Sequence, residues 1–380
     1  MKNIQIDGTN TLNKGAELML YAILEQIECR YPNAVVFYNF NEVGESHSID
    51  TKHKLRKRWG LRFGRYPAAV LRRLHLPHTY FTAQHAKGGL DLVLDGAGFQ
   101  FSDQWNYSTD RLDKLENYYR RLKRKGTKIV LLPQAFGPFR TDSGKRIVEI
   151  ISRYVDIIIA RERISYNYLV EAGAAEEKIW LYPDFTSLVK GTFPNRFNTL
   201  RDRVCIIPNR KMVTHASSNM EQYLNFLKQI ILAIEEGGKQ VFLLNHEGRG
   251  DLTFCNEINE RLNGKYTVAT GLNAKEVKGL IGASSLVISS RFHGVASALN
   301  QGVPCLATSW NHKYEMLFED FGQQGNILQV GAPWNETHVK LTNILSAHDK
   351  IQRALIVEKE KLSLQTEKMW DRIWQRVTSK

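Results

Sequence analysis

Short apolar runs alternate with segments of helical period along most of this 380-residue chain, and the alternation happens twice. The first pass reads "KNIQID" as a strand, "NKGAELMLYAILEQIECRYP" as a helix ending before Pro32, and "AVVFYNF" as a strand. It resumes with "LDLVLDGAG" running into a glycine turn, the charged helix "DRLDKLENYYRRLKRKG", and further strands in "TKIVLLPQAFGPF", "VDIIIARE" and "KIWLYPDFT". Residues 190–202, "KGTFPNRFNTLRD", break the pattern with polar, Gly and Pro residues, and the alternation restarts at "RVCIIPN". Strands separated by helix-length segments predict a largely parallel sheet covered by helices on both faces. We therefore expect an α/β protein of two Rossmann-like domains, residues 1–190 and 203–380, the second closed by C-terminal helices. Ligands of such sheets bind beyond the carboxyl ends of the strands, so a cleft faced by both domains is the expected site.

Charge adds one local feature. The formal net charge is +13, yet nine Lys/Arg and no acid fall within residues 52–73, "KHKLRKRWGLRFGRYPAAVLRR". This basic insertion, carrying Trp59, Leu61, Phe63 and Tyr66, reads either as a solvated surface or as a face for anionic lipid or a lipid-linked acceptor. Nucleic acid is the weakest partner, since no motif that reads it accompanies the patch. Cys29, Cys205, Cys255 and Cys305 are scattered beside apolar runs without a CxxC pair, which predicts reduced, buried thiols and no structural zinc. The first residues lack the apolar stretch of a secretory signal, and no window reaches the roughly 20 apolar residues of a membrane span. A cytoplasmic protein, peripheral at most to the inner membrane face, is the expectation.

Four strand ends carry chemistry. In "DGTNTLNKGAE", Asn13 and Gly15 precede a helix; Gly15 permits close approach of a ligand, while Asn13 reads equally as an N-cap. In "DLVLDGAGFQFSD", Asp95 ends a strand and suits either a sugar hydroxyl or its own glycine turn. Arg161 follows the apolar run "IIIA", with Ser165 read as a cap of the next helix and Asp184 as a structural partner or a second site residue. The fourth, "LVISSRFHGVASALNQGVPCLATS", places Arg291 and His293 between a buried strand and the helix that Gly294 opens. A helix N-terminus and a planar guanidinium both suit an anion, and an imidazole adds proton transfer near neutral pH. Lys313, after the next strand, suits a second anionic group.

Taken in order, "NKGAE", "DGAG", "PQAFGPF", "ARERIS…G…PD" and above all "SSRFHGVASALNQGVPCLATSWNHKYEM" resemble the polysaccharide pyruvyl transferase family over nearly the whole chain. One departure is Ala16 followed by Glu17, where many members carry Asp directly after the glycine. The resemblance implies a GT-B-like, glycosyltransferase-type architecture, with an acceptor side in the first domain and a donor side in the second. It implies transfer of pyruvate from phosphoenolpyruvate onto a sugar, or a lipid-linked oligosaccharide, as a ketal in cell-surface or exopolysaccharide synthesis. By the same resemblance Arg161 and Arg291 hold the donor's anionic groups with Gly294 and Lys313 assisting, His293 is the general acid, and Asn13, Gly15 and Asp95 face the acceptor. Neither reactant requires a metal or cofactor, so none is expected beyond phosphoenolpyruvate as co-substrate. Two rival readings are a nucleotide-sugar glycosyltransferase, using Arg291 for a diphosphate and Glu315 for the sugar or ribose, and a non-catalytic glycan- or membrane-binding scaffold.

Overall fold

The computed structural model describes residues 2–38, 49, 55–57, 89–214, 219–308 and 313–378. The chain divides into two compact units: Met1–Leu12 with Ala16–Leu188 and Gln365–Lys380, and Asn13–Gly15 with Val189–Leu364.

The first unit begins with β1 (Asn3–Asp7), α1 (Lys14–Arg30), β2 (Val35–Tyr38), β3 (Leu55–Lys57) and β4 (Leu92–Asp95). It continues through α2 (Thr109–Arg124), β5 (Lys128–Gln134), α3 (Asp142–Tyr154), β6 (Ile157–Ala160), α4 (Arg163–Glu171) and β7 (Ile179–Leu181). The strands pair in parallel in the order β3-β2-β1-β4-β5-β6-β7. Every residue of β4 and β6 is buried, as expected of strands covered on both faces. The helices form where apolar spacing and a cap coincide. Leu112, Tyr119 and Leu122 put the buried stripe of α2 on one side, and Ser108 caps its start by accepting from the Arg111 amide. Thr141 caps α3 in the same way through the Gly144 amide. Of the basic insertion at 52–73, only the backbone of β3 lies within the described residues.

The second unit holds β8 (Val204–Ile207), α5 (Lys211–Thr214), α6 (Met220–Glu236), β9 (Val241–Leu244), α7 (Gly248–Arg261), β10 (Val268–Ala269) and α8 (Ala274–Gly282). Then follow β11 (Leu286–Ser289), α9 (Phe292–Leu299), β12 (Cys305–Thr308), α10 (Lys313–Asp320), β13 (Ile327–Leu328), α11 (Trp334–Ser346) and α12 (His348–Thr378). Its parallel sheet runs β10-β9-β8-β11-β12-β13. Both sheets thus double back at their first strand, between β1 and β4 and between β8 and β11. Such a reversal opens a crevice at the carboxyl edge, because the flanking connections depart in opposite directions. The two-residue β13 sits at an edge of the sheet and was not read from the sequence.

Two local expectations differ from what is found. Ser165 does not cap α4: Glu162 is the N-cap residue, and the Ser165 hydroxyl instead accepts from the Phe136 amide at 2.7 Å. Cys29 is exposed, unlike the buried Cys205, Cys255 and Cys305; all four are free thiols. Among the described residues no helix is long and apolar enough to cross a membrane.

The last sixteen residues, drawn with the second domain in the sequence reading, group with the first unit. Thr366 is fully buried and its hydroxyl pairs with Ser187 at 3.0 Å. Trp370 sits edge-on to Phe185 at 6.1 Å and stacks on Trp374 at 5.4 Å, and Trp374 meets Tyr31 at 5.6 Å. Leu355, from the earlier part of α12, belongs to the core of the second unit. Trp370→Ala is expected to cost about 3–5 kcal/mol through lost transfer energy and an unfilled cavity. Leu364→Ala, at an exposed position of the same helix, should change stability by no more than about 0.5 kcal/mol. Urea unfolding of the two variants beside the wild type checks the contrast.

Candidate active site

In the second unit the carboxyl ends of β8, β9 and β11 deliver a polar cluster to the reversal point. The strand end at Arg291 is fixed before its side chain is considered. Ser289 Oγ accepts from the Arg291 amide and donates to the Arg291 carbonyl, both at 3.0 Å. The Ser290 carbonyl accepts from Asn209 Nδ2 at 2.9 Å and from the Tyr314 hydroxyl at 3.0 Å. Its hydroxyl pairs with Tyr223 at 2.5 Å and also with Thr308 Oγ1. Burial pushes the Tyr223 phenol up to about 12, so it stays a neutral hydrogen-bonding group. Every member of this network is buried, and a satisfied buried network holds one geometry.

Arg291 is the N-cap residue of α9, with φ −110° and ψ 125° and no side-chain cap of its own. Its guanidinium, 11% exposed, is clamped by two carboxylates from the start of α7. Nη2 lies 2.5 Å from Asp251 Oδ1, and Nη1 pairs with Glu247 Oε2. Glu247 is the N-cap residue of α7 and Asp251 lies four residues on, so one helical turn presents both to the same guanidinium. Burial lowers Arg291 to about 10. Burial also raises Asp251 to about 7, opposed by a hydrogen bond from the Arg210 amide and by the charge of Lys211. The 2.5 Å contact opposes both shifts, because Arg291 is the nearest counter-ion of Asp251 and Asp251 is one of the two on Arg291, and the pair is ionic at neutral pH. Lys211 is itself lowered, by burial first and then by the Arg291 charge.

His293 is the second residue of α9, which begins at Phe292 rather than at Gly294 as the sequence suggested, and its ring lies edge-on to Phe292 at 5.4 Å. A Cβ at Gly15 would overlap that imidazole, so glycine is what allows this backbone approach. Asn13 groups with the same unit. Its Oδ1 accepts from the Gly15 amide at 2.8 Å, and its Nδ2 donates to Glu247 Oε1 at 2.9 Å. Asn13 is thus a helix cap and a site partner together. Gly294 is buried, and a Cβ there would lie 2.5 Å from Ser289 Oγ and 3.0 Å from Ile207 Cδ1, which makes it a packing glycine between α9 and the sheet. Lys313 opens α10; its side chain, like Ser309–His312, lies outside the described residues.

His246, two residues after β9, joins the cluster without having been foreseen. It is 4% exposed, and its Nδ1 is buried without a hydrogen-bond partner among the described residues. Burial first, then the charges of Arg291, His293 and Lys14, hold it well below the ordinary value, so it is a neutral imidazole. The signal for His246, Glu247 and Asp251 was present in "VFLLNHEGRGD": an apolar strand ending on His-Glu, with an acid one helical turn later.

The first unit keeps the other candidates. Asp95 is buried at the end of β4; its carboxylate accepts from the Ala97 amide at 3.0 Å and from Gln100 Nε2 at 2.8 Å, which stabilises its own glycine turn. Arg161 is buried after β6, with Nε 3.2 Å from Glu162 Oε2 and Nη1 3.7 Å from Asp184 Oδ2. Asp184 in turn accepts from the Thr186 amide at 2.9 Å and from its hydroxyl at 2.5 Å. So Arg291, His293, Gly294, Asn13 and Gly15 fall in one unit, and Arg161 and Asp95 in the other.

The sequence profile of the polysaccharide pyruvyl transferase family matches residues 13–312, more than three quarters of the chain. The chain belongs to the polysaccharide pyruvyl transferase family. No curated protein matches it in sequence. Among solved structures it is similar to Anabaena HepE in complex with UDP and glucose, with TM-score 0.60 and 13% identity, covering 100% of both chains. It is similar also to the UDP-GlcNAc 2-epimerase of Neisseria meningitidis bound to UDP-GlcNAc, with TM-score 0.60 and 10% identity over 99% of this chain and 100% of that one. The Methanocaldococcus jannaschii UDP-GlcNAc 2-epimerase gives TM-score 0.55 and 14% identity, covering 91% and 92% of the two chains. At these identities the likeness is one of fold, and the fold of this pyruvyl transferase family member is GT-B-like.

The buried neutral His246 yields a pH prediction. The unfolded chain protonates this residue near pH 6.5 and the folded chain does not, so below that pH the unfolded state binds the extra proton. Stability is then lost on acidification by about 1.4 kcal/mol per pH unit and is flat above about pH 7. In His246→Gln that contribution to the acid-side slope should vanish, as read from urea midpoints between pH 5 and 7.5.

Proposed function

We propose that this protein transfers pyruvate from phosphoenolpyruvate onto a sugar of a cell-surface or exopolysaccharide precursor, forming a ketal. What carries the reading is Arg291 and His293 at the carboxyl end of β11, two residues apart, in a chain of the pyruvyl transferase family. Phosphoenolpyruvate bears a phosphate and a carboxylate, and the crevice offers Arg291, Lys211 and the positive end of α9. His293 gives its proton to the methylene carbon, which becomes the methyl group and leaves a cationic centre at the neighbouring carbon. One sugar hydroxyl adds there and releases its proton, which restores the acid. A second hydroxyl of the same sugar then forms the other C–O bond as the C–O bond to phosphate breaks. Phosphate leaves with that hydroxyl's proton, so protons and charge balance.

A positioned general acid is worth about 10²–10⁴-fold in rate. The Ser289 and Ser290 contacts that fix the Arg291 backbone support this role, because a group that binds and orients must not wander. The nucleotide-sugar reading draws on neighbours whose structures hold UDP or UDP-GlcNAc. Those are likenesses of fold, whereas the match over 13–312 is to the pyruvyl transferase family. The basic segment 52–73 is retained as a docking surface for a lipid-linked acceptor at an anionic membrane face.

The test is a calorimetric titration of wild type and Arg291→Ala with phosphoenolpyruvate, run beside UDP- and GDP-sugars. Saturable phosphoenolpyruvate binding that Arg291→Ala loses is expected. Binding of a nucleotide sugar in its place would overturn the donor assignment. With an acceptor in hand, His293→Ala should lower kcat by about 10²–10⁴-fold while donor binding persists; full activity in that variant would remove His293 from the mechanism.

A further inference from the structure

We propose that Glu247 is a built-in competitor of the donor: an intramolecular carboxylate that holds the Arg291 guanidinium and that the donor's anionic group displaces. The inference rests on the pyruvyl-donor reading for the identity of the natural ligand, but the displacement itself concerns any small dianion. The two carboxylates on Arg291 are not equivalent. Asp251 has 2% of its side chain exposed and neutralises the buried cation from inside the protein. Glu247 has 24% exposed, stands at the N-cap position of α7 and makes no capping bond there. Its two oxygens are spent on Arg291 and on Asn13 Nδ2. A residue at the first position of a helix that leaves the helix uncapped, and turns to an arginine instead, occupies that arginine in the manner of a bound carboxylate.

With Asp251 on one Nη and Glu247 on the other, an incoming anion meets a guanidinium already engaged at both. Expelling Asp251 would strand a buried charge, which is costly. Expelling Glu247 sends an already partly exposed carboxylate to water at far smaller cost. The donor therefore exchanges with Glu247, and Asp251 stays. Asn13, released by the same exchange, becomes available to the ligand. Glu247 is thus a residue that sets donor affinity without taking part in bond making.

The experiment measures binding of inorganic phosphate and of phosphoenolpyruvate to wild type, Glu247→Gln, Glu247→Ala and the charge control Glu260→Gln on the same helix. Thermal melts establish that each is folded. Removing the competitor should tighten phosphate binding about five- to twentyfold in both Glu247 variants, the scale of one charge-assisted hydrogen bond discounted for partial exposure. Glu260→Gln should leave it unchanged. In turnover, KM for phosphoenolpyruvate should fall by a similar factor without a rise in kcat, a split that a merely structural role would not produce. Phosphate binding that is unchanged or weaker in both Glu247 variants overturns the proposal, as does an equal gain in Glu260→Gln or binding by none of the four proteins. If phosphate behaves as expected but phosphoenolpyruvate does not bind, the competitor stands and the donor reading falls.

Discussion

A parallel strand covered on both faces has no place along its length for a side chain that must be solvated. In both units of this protein interior strands, β4 and β6 in one and β8 and β11 in the other, are buried throughout, and their backbones are saturated by parallel neighbours. Polar chemistry is therefore driven to the strand ends, and the reversal of strand order decides at which pair of ends a crevice opens. Asp95 and Arg161 in the first unit and Asn209 in the second are the first polar residues after an apolar run, and His246 and Arg291 follow within two residues of such a first polar residue. The location of the site follows from how the sheets are wound.

That constraint has an electrostatic consequence. A guanidinium that is 11% exposed cannot remain charged without counter-ions, and the connection after β9 supplies them one helical turn apart. The network of Ser290, Tyr223, Thr308, Asn209 and Tyr314 beneath it fixes the backbone from which the arginine projects. The field of the arginine then acts on its surroundings, helping to hold His246 neutral and Lys211 below its ordinary range. Burial is the larger cause of both shifts, and the charge placed by the topology adds to it.

The alternation of apolar and helical segments made the two sheets legible, because burial on both faces leaves an uninterrupted apolar run. Arg291, His293 and Arg161 were legible for the same reason, as polar residues at the ends of such runs. What escaped had identifiable causes. A two-residue edge strand such as β13 is too short to carry a period. Ser165 looked like a cap because it opens an apolar helix, but its hydroxyl is claimed by the distant Phe136 backbone. The Glu247–Arg291 and Asp251–Arg291 pairs join residues more than 39 positions apart, and only the adjacency of β9, β8 and β11 brings them together. Sequence marks where polar groups must emerge; pairing among them depends on strand order, which a single chain does not spell out.

The division of labour between Asp251 and Glu247 shows how one arginine serves stability and exchange together. If both counter-ions were as buried as Asp251, the guanidinium would be locked and no ligand could reach it at reasonable cost. If both were as exposed as Glu247, water would screen them, and the cation would lack the dry partner that lets it sit at the strand end at all. With one of each, the charge stays compensated while one position on it remains open to replacement. A replacing group must out-compete a carboxylate that is covalently tethered and further held by Asn13. In the proposed exchange a single neutral hydroxyl does not suffice, whereas a compact ligand with two anionic groups does, its second charge directed to Lys211 and the start of α9 while the first takes the place of Glu247. The clamp thus works as a filter for charge density, set by which of two acids one helical turn apart faces the solvent.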